Sequence, residues 1–197
     1  MRQDLTHIVR WIAPGSRVLD LGCGDGEFLQ QLRERLEVRG TGLEIDDGRI
    51  TTAMGRGLDI IKQNMDEGLG NFPDQSFDTV VLAHALQAVR HPDLVLAEML
   101  RIGRECIVTF PNFGQWRCRL HLGVFGRMPV SRLMPYSWYD TPNIHFCTVR
   151  DFEVLCREQG IRILARDMVG GPGGENRLMA RFWPNLFATT AIYHITR

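Results

Sequence analysis

Residues 18–28 read VLDLGCGDGEF: an apolar run, glycines at alternate positions, and the start of an amphipathic helix. RVLDL (17–21) predicts a short buried strand, and Phe28, Leu29, Leu32 and Leu36 fall on one helical face. The unit is a strand–turn–helix whose glycines let the backbone approach a nucleotide. Spacing then decides between nucleotides. Gly22, Gly24 and Gly26 form G-x-G-x-G, and Glu27 stands where a dinucleotide fingerprint needs its third glycine. No Gly-Lys-Ser/Thr follows, so a P-loop is excluded as well.

Charge narrows the ligand further. Asp20, Asp25 and Glu27 crowd the predicted helix start. Carboxylates there suit the helix dipole, but they repel the phosphates that such helix ends otherwise collect. A nucleoside with a cationic end is the better match. S-adenosylmethionine has that chemistry: an adenosine, an ammonium, a sulfonium and no phosphate. Glu44, in GLEID and twenty-two residues after Gly22, stands where an acid at the end of the second strand reaches ribose hydroxyls. The alternative is a tight strand–helix turn whose acids merely cap the helix.

Outward from this stretch, strand and helix patterns alternate. VRGTGLEI (38–45), LDIIK (58–62), FDTVVLA (77–83) and ECIVTF (105–110) predict further strands. Helices are expected before the first strand (Leu5, Ile8, Val9, Ile12), at about 46–54, and from Pro92 through Leu100. Strands spaced by helices imply parallel pairing and right-handed crossovers. Residues 112–147 break the rhythm with Phe113, Trp116, Phe125, Tyr136, Trp138, Tyr139 and Phe146. The same insert carries Arg117, Arg119, Arg127 and Arg132 against Asp140 alone. Thr148 and Asp151 then predict a capping box for a helix through Gln159. IRILARDMV (161–169) and ATTAIYHIT (188–196) read as the last strands, with GGPGGEN (170–176) as a loop after the first of them.

A chain of 197 residues is expected to form one domain, 1–197, with the insert as a cap. Zero net charge argues against a broad nucleic-acid surface. Asp4, Thr6, His7 and Arg10 interrupt any leader-like apolar run, and no stretch is long and apolar enough for a membrane span. Five cysteines without a CxxC pair indicate neither a disulfide framework nor a zinc site, so a reducing cytoplasm is the expected location.

VLDLGCGDGEFL, GLEID and FPDQSFDTVVLAHAL (72–86) together resemble the class I S-adenosylmethionine-dependent methyltransferases. The resemblance implies a Rossmann-like α/β fold with a mostly parallel seven-stranded sheet, order 3214576, flanked by helices, its last strand antiparallel. Asp20, Gly22 and Gly24 match the loop that receives the methionine moiety, Glu44 the ribose acid, and Ile45 a contact to adenine. Asn64-Met65 stands where relatives often have an acid and an apolar residue; the Asn64 amide oxygen can still accept from the adenine amine, and Met65 can pack on the ring. Ala83 matches a backbone contact just past the fourth strand.

NMDEGL (64–69), VTFPNFGQWRCRL (108–120), PYSWYDTPNIHFCTVRDFEVL (135–155) and NLFATTAIYHITR (185–197) resemble the MetW family of methionine biosynthesis proteins. That resemblance implies S-adenosylmethionine or S-adenosylhomocysteine as ligand and homoserine O-acyltransferase (MetX) as partner. It does not by itself imply methyl transfer.

Chemistry at the site is less defined. The amide-methylating Asn/Asp-Pro-Pro-Tyr signature is absent; Ala83-His84-Ala85-Leu86 stands in its place. His84 is the best-placed candidate base, or else it closes the strand end by bonding to backbone. Cys23 reads as a packed thiol. His121 and His145 have no carboxylate at ligand spacing, and no serine sits in a G-x-S-x-G elbow. The insert is a lid whose arginines meet an acceptor carboxylate, a partner surface rich in hot-spot residue types, or a helical cap. Two functions stay open: an accessory protein of the acyltransferase, and a small-molecule methyltransferase.

Overall fold

A computed structural model describes residues 3–131, 135–171 and 177–197. Arg132 and most of the GGPGGEN loop (172–176) lie outside the described residues, as do the side chains of Leu5 and its neighbours at the start of the chain. The described chain runs α1 (Gln3–Val9), β1 (Arg17–Leu21), α2 (Glu27–Leu36), β2 (Arg39–Glu44), α3 (Asp47–Gly55) and β3 (Asp59–Lys62). A 3-10 turn (Met65–Glu67) leads to β4 (Phe77–Ala83), α4 (Pro92–Ile102), β5 (Gly103–Pro111) and α5 (Trp116–Phe125). It closes with α6 (Val149–Glu158), β6 (Arg162–Val169), α7 (Arg177–Phe182), α8 (Pro184–Phe187) and β7 (Thr190–Thr196).

The strands form one seven-stranded sheet in the order β3-β2-β1-β4-β5-β7-β6. Pairing is parallel from β3 to β5, and β7 runs antiparallel to both β5 and β6. The order reverses at β1, which pairs β2 on one side and β4 on the other. In such sheets the crevice beyond the carboxyl ends of the strands at this reversal is where ligands sit.

Period-two alternation puts a separate core on each face. Leu19, Leu21, Leu82, Val108, Phe110 and Tyr193 pack with Leu96 and Met99 of α4 and Phe152 of α6. Val18, Val81, Ile107 and Ile192 face the other way, against Ile8 and Ile12 near the start of the chain and Leu29 and Leu32 of α2. Each fully buried side chain of this size contributes about 1.5–3 kcal/mol before entropy is counted. Close layering also limits residue size at β2, where a Cβ on Gly42 would lie 2.5 Å from Cys23 Sγ.

The predicted strands are present, with ends moved by one or two residues. Asp46 proves to be the cap of α3 rather than its first residue, its Oδ1 accepting from Arg49 N–H at 2.8 Å. The capping box of α6 forms as predicted, Thr148 and Asp151 exchanging side-chain-to-backbone bonds. Two features escaped the sequence pattern. The β6–β7 connection is more than the GGPGGEN loop, since α7 and α8 follow it. The insert opens with α5, of whose residues only Cys118 is buried, so no one-sided apolar pattern marks it. Among the described residues no helix is long and apolar enough to cross a membrane.

Candidate functional site

The glycine loop leaves β1 through Gly22, Gly24 and Gly26, whose φ values of 73°, 59° and 77° lie in the left-handed region that favours glycine. Gly22 N–H and Cys23 N–H donate to Leu43 O at 2.8 and 3.1 Å, tying the loop to β2. Gly24 N–H donates to Glu44 Oε2 at 2.9 Å. Glu44 Oε1 in turn accepts from Ile45 and Asp46 N–H at 2.8 and 3.1 Å. The end of β2 and the loop are thus joined through one buried carboxylate.

Asp20 is the unusual acid. It is buried, and its Oδ1 has no hydrogen-bond partner. Burial, reinforced by the charge of Glu44, pushes its carboxyl up to about 7. A buried oxygen left unpaired costs on the order of 1–3 kcal/mol, more when charged. It is a standing site for a donor, best a cationic one.

The three acids of the loop therefore divide. Asp25 is half-exposed and paired with Arg56 at 3.0 Å, and Glu27 Oε1 accepts from Gln31 at 3.1 Å. The charge of Asp25 is met by a cation, and Glu27 has a neutral amide donor. Asp25 and Glu27 also border the adjoining cavity, but Asp20 and Glu44 are the buried acids on its wall.

A cavity of about 1230 Å³ opens over the carboxyl ends of β1 and β4. Ligand pockets commonly measure ~300–1,000 Å³, so this one has room beyond a single nucleoside. The structure brings Asp20, Gly22, Gly24, Glu44, Ile45, Asn64, Met65, Ala83 and His84 to its wall. Ile45 is exposed beside Glu44, as a ring contact requires. Asn64 is partly committed: its Oδ1 caps the 3-10 turn, accepting from Asp66 N–H at 3.1 Å. One lone pair of that oxygen is left for a ligand.

His84 follows β4 with φ 56°, a left-handed conformation rare outside glycine. Its N–H is held by Thr109, at 3.0 Å from the carbonyl and 3.1 Å from the hydroxyl. Cys23 is buried, and burial together with the charges of Asp20 and Glu44 raises its thiol to about 12, which leaves it without nucleophilic character. His121 packs on Phe125 and His145 Nε2 lies 3.2 Å from Arg90 O. Among the described residues no cluster of three or more His, Cys, Asp or Glu could hold a metal ion.

Several wall residues carried no sequence signal. Gln87, buried, donates from Nε2 to Pro111 O at 2.9 Å, while its backbone oxygen accepts from Ile144 and His145 N–H at 2.9 and 3.0 Å. Pro135, Tyr136, Pro142 and Asn143 reach the cavity from the insert, and Thr189 and Thr190 from the start of β7. The insert thus contributes to the cavity wall, but among its described arginines Arg117, Arg119 and Arg127 do not line it. Nor are its aromatics core, since Phe125, Trp138 and Tyr139 are exposed.

Strand order, the glycine loop and the acid at the end of β2 define the class I S-adenosylmethionine-dependent methyltransferase fold. The family model described as "Methionine biosynthesis protein MetW" matches residues 2–195, and the chain belongs to that family. It is 36% identical to the bifunctional methionine biosynthesis protein MetXA/MetW of Rhodopirellula baltica, over 96% of this chain and 32% of the relative. The chain thus spans about a third of that relative's length. An S-adenosylmethionine-dependent methyltransferase from Mesorhizobium loti superposes with a TM-score of 0.71 at 16% identity, covering 97% of this chain and 96% of that one. The cyclase SpnF superposes at 0.67 and 18% identity, covering 98% and 80%. These likenesses bear on fold alone.

Proposed function

We propose that this protein binds S-adenosylmethionine or S-adenosylhomocysteine and supports homoserine O-acyltransferase (MetX) on the route from homoserine to methionine. The observation that carries the ligand is the orphaned, buried Asp20 oxygen beside Glu44 in one cavity. The residues fit such a ligand. Asp20 would take the ammonium, with Gly22 and Gly24 allowing close backbone approach. Glu44 would take the ribose hydroxyls. Ile45 and Met65 would flank the adenine, with the Asn64 oxygen accepting from its amine and Ala83 contributing backbone. Phosphorylated nucleotides are disfavoured by the carboxylates of this wall, the buried Asp20 and Glu44 among them. Bound S-adenosylmethionine supplies a methyl group on a cationic sulfur.

The partner reading rests on the Rhodopirellula baltica relative, whose name joins MetXA and MetW. The chain shows no nucleophile elbow, so any acyl transfer belongs to the partner. In this reading the adenosyl ligand reports the pathway's output. Described cysteines that are all free fit the reducing cytoplasm expected for such a role.

A second reading, a small-molecule methyltransferase, is favoured by one observation: strained His84 on the cavity wall. There His84 would accept the proton of an acceptor held in line with the methyl group. SpnF, a cyclase on the same fold, illustrates why fold does not decide the chemistry.

Titration calorimetry with S-adenosylmethionine on the wild type and on Glu44→Ala tests ligand binding. Acyltransferase assays with and without this protein, each with and without S-adenosylmethionine, test support of the partner. Binding lost in Glu44→Ala and ligand-dependent stimulation are expected. Equal acyltransferase rates in all four conditions overturn the partner role. Methyl transfer to a metabolite, lost in His84→Ala, would move the assignment to the second reading.

A further inference from the structure

Residues 135–145 form a strap with two unlike sides. Tyr136, Pro142 and Asn143 line the ligand cavity. Trp138 and Tyr139, between them in the chain, are 74% and 75% exposed. They occupy the middle of a turn at 137–140, where Asp140 N–H donates to Ser137 O at 3.1 Å. Glycine, proline, asparagine and aspartate normally fill such positions, because the middle of a turn points into water. Here two large rings stand edge to face, 5.6 Å apart, with little cover.

The strap is anchored on the cavity itself. Ile144 and His145 N–H both donate to the backbone oxygen of Gln87, whose side chain is clamped to Pro111 at the end of β5. Gln87, Ala88, Val89 and Pro111 are wall residues too. Phe146 then packs tilted against Phe113, ring centres 4.7 Å apart, at the base of the insert. The far end of the strap is fixed and its inner residues lie on the cavity, with the exposed turn between them in the chain.

We propose that the strap 135–145 senses the adenosyl ligand and presents Trp138 and Tyr139 to the acyltransferase partner. The inference deepens the functional reading above and rests on it for the identity of the partner. Trp and Tyr are the residue types enriched at the energetic centres of interfaces. The insert to which they belong carries Arg117, Arg119, Arg127 and Arg132 against Asp140 alone in its sequence, so an acidic partner face around an apolar pocket is the expected match. Ligand against Tyr136 and Asn143 fixes the strap, and a fixed turn loses less entropy on docking.

The test uses the intact chain and S-adenosylmethionine as probe, in three measurements. Trp138 emission and hydrogen exchange of 135–145 are first followed through a ligand titration. A ligand-induced emission change that disappears in Trp138→Phe, with slower exchange across the strap, is expected. An unchanged strap at saturating ligand, or an emission change that survives Trp138→Phe, overturns the sensing. Second, Trp138→Ala/Tyr139→Ala is expected to bind ligand within twofold of wild type and to lose at least tenfold of its acyltransferase stimulation. Full stimulation by that double variant overturns the docking assignment. Third, wild-type protein that stimulates no acyltransferase overturns the functional reading and the docking together, while the emission and exchange data still decide the sensing alone. Trp138→Phe and the double variant alter exposed positions, so circular dichroism matching wild type is the expected control.

Discussion

The carboxylate of Glu44, held by the N–H groups of Gly24, Ile45 and Asp46, presses its charge on the buried carboxyl of Asp20. The two acids differ in how they are satisfied. Glu44 is fixed by three backbone donors, while Asp20 Oδ1 has none. Their contrast makes the site a receptor for a donor that the protein does not itself provide.

Ligand affinity should therefore depend on pH. With its carboxyl raised to about 7, free Asp20 carries a proton below that pH, and an ammonium ligand must displace it. Affinity is expected to fall up to tenfold for each pH unit below 7 and to level off above it. Calorimetry in buffers of different ionisation enthalpy should show close to one proton released per ligand at pH 6. Glu44→Gln removes the neighbouring charge and should move the midpoint lower. A flat affinity from pH 5.5 to 8 would contradict the assignment of Asp20.

The same group should limit the stability of the free protein. Its carboxyl is raised on folding, so the stability it contributes is full below the unfolded value near 3.8 and is lost as pH climbs through about 7. That displacement corresponds to an upper limit of roughly 4 kcal/mol. Asp20→Asn should be more stable than wild type toward urea at pH 8, lose this advantage at pH 4, and bind S-adenosylmethionine weakly at both.

His84 provides a test of backbone strain. A side-chain-bearing residue in the left-handed region costs about 1–2 kcal/mol where glycine does not. His84→Ala and His84→Gly both delete the ring, but the glycine variant should be the more stable by about 1 kcal/mol in urea unfolding. Equal stabilities would mean that neighbouring contacts already compensate the strain.

Asn112 should be intolerant of substitution. Its Nδ2 donates to the carbonyls of Pro184, Asn185 and Ala188, and its Oδ1 accepts from Gly114 and Val149 N–H. Asn112→Ala leaves buried backbone groups of three segments unpaired and is expected to cost about 2–4 kcal/mol. Urea unfolding of the variant measures this directly.

Much of the architecture was legible because local signals agreed. β1 and β4 are apolar runs of strand length, Pro92 and Thr148 mark helix starts, and the three loop glycines all need the positive φ they adopt. The acids were legible only as a group. That Asp25 is met by Arg56 while Asp20 stays unpaired depends on α3 lying beside the loop, a contact between positions 31 residues apart. Gln87, Tyr136 and Asn143 were invisible for a similar reason: backbone bonds from Ile144 and His145 bring the strap to Gln87 across more than fifty positions. Such contacts leave no periodicity. Helix α5 was hidden differently, because it buries almost nothing and so has no apolar stripe.

The strand that follows β6 in the chain lies inside the sheet rather than at its edge. β7 sits between β5 and β6, and among the described residues β6 pairs with no other strand. During synthesis β5 therefore waits as an open edge, and β6 has no partner, until Thr190–Thr196 has left the ribosome. Until then the nascent chain exposes a ready template for pairing with another chain. Loss of residues 186–197 would remove Tyr193 and Ile195 from the middle of the core.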